Sequence, residues 1–595
     1  MKLKSITASR QLRFVVVVSF LFAISLCPVC VSANQYADLV MRGGAIYTVD
    51  AARSWAEALA VKDNRISFVG DDREIERYIG PGTTVIELDG RMVLPGFQDS
   101  HIHPVSAMLK TQMCNLSGLR GLEAYLDKIR QCVKDEPGTD WLTGSGWSHA
   151  NFDDDNRPDK TLLDSIAADR PITLGSYDGH SVWANSMAME LSGIDETTPN
   201  PPAGIIERYP NSQEPIGLFL EDPAIQMVLK AKPETTDDER FKALMEVQTY
   251  LNSLGITSVQ DAWVELDNVG LYGTIPAYQK AAAEGLLSLR VVAALYWRPN
   301  RGMEQLERMK QIRAESNTGN FRATAVKIWQ DGVMHTHTSK LLEDYADRPG
   351  ERGLSMFEQS RLNEVVTALD KEGFQVHIHT DGDGALREAL NAFAFARQEN
   401  GSRDSRHQVA HLELVHPEDI PRLRKLGVIA NVQPMWSTSR YYIGDLINVK
   451  LGEARKRWME INRSFLAEGV TVAYGSDWFV TSPNPMDLIE AAVTRIRPAL
   501  PLDDKRTAKA MLPGEEVTIA DAIASYTING AFANFQEQDT GSLEAGKLAD
   551  IVVLDKNLFD VEPVRISETR VLLTLLGGRP VHGNLALDGD DGQEH

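Results

Sequence analysis

The sequence predicts an α/β protein: a (β/α)8 barrel carrying a small β-rich domain assembled from both ends of the chain. Three observations carry this. Short runs rich in Val, Ile and Ala alternate with helical patterns through the middle of the 595 residues. Polar residues gather at the C-terminal ends of those runs, the face on which barrels build their sites. The alternating, turn-punctuated texture of residues 37–93 returns after residue 541. A chain of this length exceeds what a single small core needs, so a large domain with an accessory one is expected.

The elements follow in order. Residues 1–33 begin with Lys2, Lys4, Arg10 and Arg13, continue through FVVVVSFLFAISL and end in Val31-Ser32-Ala33. This is the pattern of a cleaved secretory signal peptide, its apolar run too short for a transmembrane span. The mature protein is therefore expected to be exported, periplasmic or secreted, with no stable membrane span. Residues 34–94 read as strands with turns at Gly43-Gly44, Asp63-Asn64 and Asp89-Gly90. GSLEAGKLADIVVLDKN and VLLTLLGGRPVHG, within 541–588, read alike and are assigned to the same domain; 589–595 form an acidic tail.

Between them, 95–540 hold nine strand candidates for eight barrel places: PGFQDSHIH, ITLGSYDGH, GITSVQDAW, LRVVAALYW, ATAVKIWQDG, FQVHIHTDGD, HQVAHLEL, GVIANVQP and VTVAYGSDW. One must belong to an insertion, placed at about 110–235, where the text turns irregular. Helical patterns such as RLNEVVTALDKEG and EDIPRLRKLG intervene, and β-then-α repetition means parallel strands with right-handed crossovers. No Gly-rich phosphate loop follows any strand.

Composition narrows the function. The formal net charge of −22 disfavours nucleic acid and anionic membranes as partners. A small-molecule substrate suits the fold, and a homo-oligomer is compatible with the composition. Two of the four cysteines fall in the leader; Cys114 and Cys132 remain, and pairing in an oxidising compartment and two free thiols fit equally.

The strand ends carry the chemistry. His101 and His103 close the first strand, Lys327 lies in VKIWQDG, His377 and His379 end the fifth, His411 lies on the sixth, and Asp477 follows the eighth. Imidazoles with a carboxylate are donors for zinc and related divalent ions. Each residue also has a plainer reading: His411 as a satisfied core histidine, Asp477 as a helix N-cap, Lys327 as a wall lysine that snorkels or pairs with Asp331. Their joint placement at strand C-termini favours the metal reading. Seven tryptophans near strand ends (147, 183, 263, 297, 329, 436 and 478) suggest either an aromatic pocket or ordinary packing.

PGFQDSHIH, VKIWQDG, HIHTDGDGA, RHQVAHLELVHPEDIPRLRKLGVIANVQP, YGSDW and TINGAFANFQEQDTGSLEAGKLADIVVLD together resemble the amidohydrolase superfamily, most closely its formamide-deformylase-like branch. The resemblance spans residues 37–583. It implies a distorted (β/α)8 barrel, a composite small β-sandwich domain, and one or two divalent ions, zinc or another. His101 and His103 match the first-strand metal pair, and His379 and His411 the fifth- and sixth-strand ligands. Asp477 matches the eighth-strand aspartate, at once a metal residue and the proton acceptor. Lys327 sits where many members carry a carboxylated lysine bridging two metals, and His180 in the DGH segment is expected to contact the substrate carbonyl.

Two features depart from the family pattern. Asp381 replaces a usually apolar residue, and His335 and His337 follow the lysine strand, either lining the pocket, binding further metal, or facing solvent. The implied activity is hydrolysis of a non-peptide C–N bond, an amide, formamide or cyclic amide. An esterase or lactonase on the same site is one alternative, and a non-catalytic exported metal-binding protein is another.

Overall fold

The structure, a computed structural model, describes residues 36–152, 157–438 and 448–587. The expected leader and the acidic tail lie outside the described residues. Eight parallel strands form the central sheet: β1 (Phe97–Ile102), β2 (Ile256–Val264), β3 (Arg290–Tyr296), β4 (Phe321–Trp329), β5 (Gln375–Thr380), β6 (Gln408–His411), β7 (Ile429–Val432) and β8 (Val472–Tyr474). They lie in sequence order from β1 to β8. The seam between β8 and β1 is laced at its upper end, where Asp477 N donates to His101 O (2.7 Å) and His103 N to Trp478 O (3.1 Å). Gly475 permits this approach: a Cβ there would lie 2.5 Å from His101 Cβ.

Helices follow the strands on the outside, for example Gln359–Lys371, Asp383–Asn400 and Pro485–Thr494. The helix Asp237–Ser253, which leads into β2, starts with a reciprocal cap in which Thr236 Oγ1 accepts from Glu239 N and the Glu239 carboxylate from Thr236 N. Because both faces of a parallel strand are covered, β2 is buried along its whole length.

Between β1 and β2 the chain builds a second sheet of six short strands, ordered Ile205–Arg208, Pro215–Leu220, Ser181–Ala184, Ile172–Ser176, Leu142–Trp147 and Cys114–Asn115. ITLGSYDGH supplies one of these, which accounts for the surplus ninth candidate. The sheet has its own core around Tyr125, Trp147 and Trp183. Cys114 and Cys132 form a disulfide that ties its edge strand to the helix Leu122–Asp135.

Strands from both termini make the remaining sheets. One has four strands (Arg65–Gly70, Ala58–Lys62, Leu39–Arg42, Thr84–Glu87); the other has six, in which Ile551–Leu554 pairs with Met92–Pro95 and Val571–Leu576. Leu59 and Met41 of the first share one apolar core with Val93, Ile551 and Leu573 of the second. Arg290, at the start of β3, clamps Asp550 of this domain with two hydrogen bonds of 2.7 and 3.0 Å. Among the described residues no helix is long and apolar enough to cross a membrane.

Candidate active site

The C-terminal ends of the strands and the inserted sheet enclose a cavity of about 200 Å3. His101, His103, His180, Lys327, His379, His411 and Asp477 all line it, so every residue the sequence singled out for the site meets in one place.

Two groups of metal-type donors stand there, each with ligand atoms within 4.8 Å of one another: His101, His103 and Asp477, and His379, Asp381 and His411. Asp477 Oδ1 is 3.1 Å from His103 Nε2 and 3.7 Å from His101 Nε2. His379 Nε2 lies 3.7 Å from Asp381 Oδ1. Burial, before all else, holds His101, His379 and His411 well below the ordinary imidazole pKa, and Lys327 adds to it. These rings are therefore neutral, each with one lone pair.

Which nitrogen carries that lone pair is set by a layer of amides beneath. Asn431 Nδ2 donates to the Ser100 carbonyl (2.9 Å) and to Gln408 Oε1 (2.9 Å). A carbonyl only accepts, so Asn431 is fixed, and each next amide is fixed in turn. Gln408 Nε2 donates to Gln260 Oε1 (3.0 Å), which also accepts from His377 Nδ1 (2.8 Å). Burial keeps His377 neutral, so its Nε2 accepts from His101 Nδ1 (2.9 Å). His101 Nε2 is left as the lone pair.

On its other side Asn431 Oδ1 accepts from Gln433 Nε2 (3.1 Å), and Gln433 Oε1 accepts from His411 Nδ1 (3.1 Å). Nε2 of His411 is left bare in the same way. One buried asparagine thus sets the tautomer of a histidine in each group. Such second-layer contacts typically orient metal-binding histidines.

The fit to a cation follows from these groups. His101 Nε2, His103 Nδ1 and His379 Nε2 are buried without a hydrogen-bond partner, and a bare imidazole lone pair faces a carboxylate at 3.7 Å. Two acceptors so placed repel unless a positive centre lies between them.

Backbone geometry is spent on this aim. Gln408 and Ala410 share the inward face of β6, so His411 in regular strand would point outward. Its φ of +78° turns the ring back into the cavity, a strained conformation of the kind found at functional sites. Asp477 adopts φ +50° and caps no helix.

Lys327 is buried and has no carboxylate within 4.0 Å among the described residues. Burial lowers its pKa to about 8, against the charges of Asp477 and Asp381. The alternative partner, Asp331, is occupied by Ser339 Oγ and by the N–H groups of Lys340, Asp381 and Gly382.

His180 comes from the inserted sheet, at the turn before Ser181–Ala184. Its Nδ1 is 2.9 Å from Glu221 Oε2, and Glu221 Oε1 accepts from Thr338 (2.6 Å). Burial opposes protonation of His180, but Glu221 and Asp178 outweigh it and raise its pKa. Glu221 is fully buried and holds φ +66°. Forty-one residues separate the pair, and nothing in the local text announces it.

His335 and His337 are neither solvent-facing nor in the two donor groups. They bind Asp178 and Asp347, each at 2.8 Å; neither histidine lines the cavity, although Asp178 does. Trp263, Trp329 and Trp436 line the cavity. Trp147 and Trp183 belong to the core of the insertion, Trp297 to the barrel core, and Trp478 packs on Tyr250.

A sequence model of the amidohydrolase family matches residues 84–582. The chain belongs to this family. Protein LONG AFTER FAR-RED 3 of Arabidopsis thaliana is 30% identical to it over 563 residues, 92% of each chain. N-substituted formamide deformylase of Arthrobacter pascens is 27% identical over 554 residues, 92% of this chain and 98% of that one, which supports the formamide-deformylase-like branch. A solved metal-dependent hydrolase from Pyrococcus horikoshii shares the fold, with a TM-score of 0.68 at 23% identity over 88% of this chain and 99% of that one. This amidohydrolase is accordingly a metal-dependent hydrolase, and its two donor groups are candidate metal sites.

Proposed function

We propose that this amidohydrolase is exported and cleaves a non-peptide C–N bond, an amide, formamide or cyclic amide, of a small organic substrate. The observation that carries this is the convergence of His101, His103 and Asp477 with His379 and His411 on one cavity. These residues would hold one or two divalent ions, zinc foremost given the imidazole-rich donor set. Such an ion polarises a carbonyl and lowers the pKa of a water toward 7.

The chain's own groups supply the rest. Asp477, beside His101 and His103, takes the proton of the attacking water and returns it to the leaving nitrogen. His180, braced by Glu221, donates to the carbonyl oxygen as negative charge develops there. A pKa lowered to about 8 gives Lys327 more neutral amine than a free lysine has, and the neutral amine is the form that combines with carbon dioxide if it serves as a carboxylated bridge. Trp263, Trp329 and Trp436 favour a substrate with an apolar or aromatic part. Export is supported by the leader pattern and by the Cys114–Cys132 disulfide.

Asp477→Asn should retain metal while kcat on the best amide falls by about 10²–10⁴-fold. Near-wild-type turnover would remove Asp477 from the mechanism. Faster hydrolysis of a matched ester than of its amide would move the activity to the esterase class.

A further inference from the structure

We propose that Asp381 is a ligand of a second divalent ion together with His379 and His411, so that two ions load without carboxylation of Lys327. This rests on the reading of the cavity as a metal-dependent site. The argument starts from backbone. β5 ends at Thr380, and the next two N–H groups, of Asp381 and Gly382, both donate to Asp331 at 3.0 and 2.9 Å. Gly382 cannot carry a side chain, because a Cβ would fall 1.9 Å from the Lys340 carbonyl oxygen. The turn is therefore rigid and holds the Asp381 carboxylate 3.7 Å from His379 Nε2, a buried nitrogen with no hydrogen-bond partner.

His411 completes the group, its Nε2 left bare by the Gln433 bond. Two imidazoles and a carboxylate from the protein are a complete catalytic-type set for zinc, with a position to spare. Each donor group then contains its own carboxylate, Asp477 in one and Asp381 in the other. A further anion made from Lys327 is not required to balance two dications.

The test compares metal content across the full mature chain stripped with chelator and reloaded with zinc alone, with bicarbonate excluded. Mass-spectrometric metal analysis should find two ions per chain in the wild type and in Lys327→Met. Asp381→Asn should hold one, with second-site affinity lowered at least tenfold. Two ions retained in Asp381→Asn, or one in Lys327→Met, overturns the proposal. One ion in the wild type overturns it while sparing the metal-dependent reading, and none overturns both. Anomalous diffraction from zinc-soaked wild-type crystals asks the same without a variant: a peak at about 2.0–2.2 Å from an Asp381 oxygen is expected, and a second peak lacking that contact refutes it.

Discussion

His180 depends on a residue that never reaches the cavity. Buried as it is, the ring would lose its proton more readily than a free imidazole; the Glu221 carboxylate at 2.9 Å reverses the sign. A raised folded pKa means that the ion pair stabilises the protein fully below the ordinary imidazole value of 6.5 and ceases to do so as pH rises through the folded value. If the charged ring donates to the carbonyl oxygen, activity has an alkaline limb at that same folded pKa. Glu221→Gln leaves burial dominant, so the limb should move to lower pH and kcat at pH 8 should fall about tenfold or more. An unmoved pH–kcat profile would show that Glu221 is only packing. Glu221 also shows where sequence reading ends. His180 was visible through its DGH segment, whereas a glutamate 41 residues away acquires meaning only when two strands of the insertion place it underneath.

Along β5, Gln375, His377 and His379 project from one face at every second position. The uppermost faces the cavity, the middle one braces His101, and the lowest joins the amide layer with Gln260 and Gln408. The sequence made the upper tier legible, because histidines at consecutive strand ends are conspicuous. The amides beneath were not legible, since a glutamine inside an apolar run looks like any polar interruption until its partners on other strands are known. The eight strands and the insertion were readable from Val-, Ile- and Ala-rich runs, yet the inward turn of His411 was not, because it depends on one dihedral angle. Asn431 on β7 is the point from which both relays start. Asn431→Asp keeps the shape but removes the donor to Ser100 and Gln408. Zinc affinity, measured by competition with a chelating dye, should fall roughly 10–100-fold, with the thermal midpoint as a check on folding. Unchanged affinity would mean that the rings hold their tautomers unaided.

At the scale of the molecule, the terminal domain and the barrel share one apolar core, in which Met92, Leu94 and Val552 join Phe97, Leu251 and Ile256. The terminal domain meets the underside of the barrel through Arg290 and Asp550, a pair in which Asp550 is 3% and Arg290 16% exposed at the side chain. Removing one partner of such a pair leaves a buried charge, so Asp550→Ala should cost about 3–5 kcal/mol in denaturant unfolding. A loss below about 1 kcal/mol would class the contact with ordinary surface pairs. The inserted sheet meets the barrel from the opposite end, and Ser145 and Thr173 from its strands line the same cavity as the strand-end histidines. This division has an evolutionary side. The candidate metal donors sit at the ends of barrel strands whose neighbours are interlocked, whereas Ser145 and Thr173 are written in a separate stretch between β1 and β2. Mutations at Ser145 or Thr173 therefore reshape the cavity while the candidate metal donors stay intact, so that a lineage could change its diet without reinventing its chemistry.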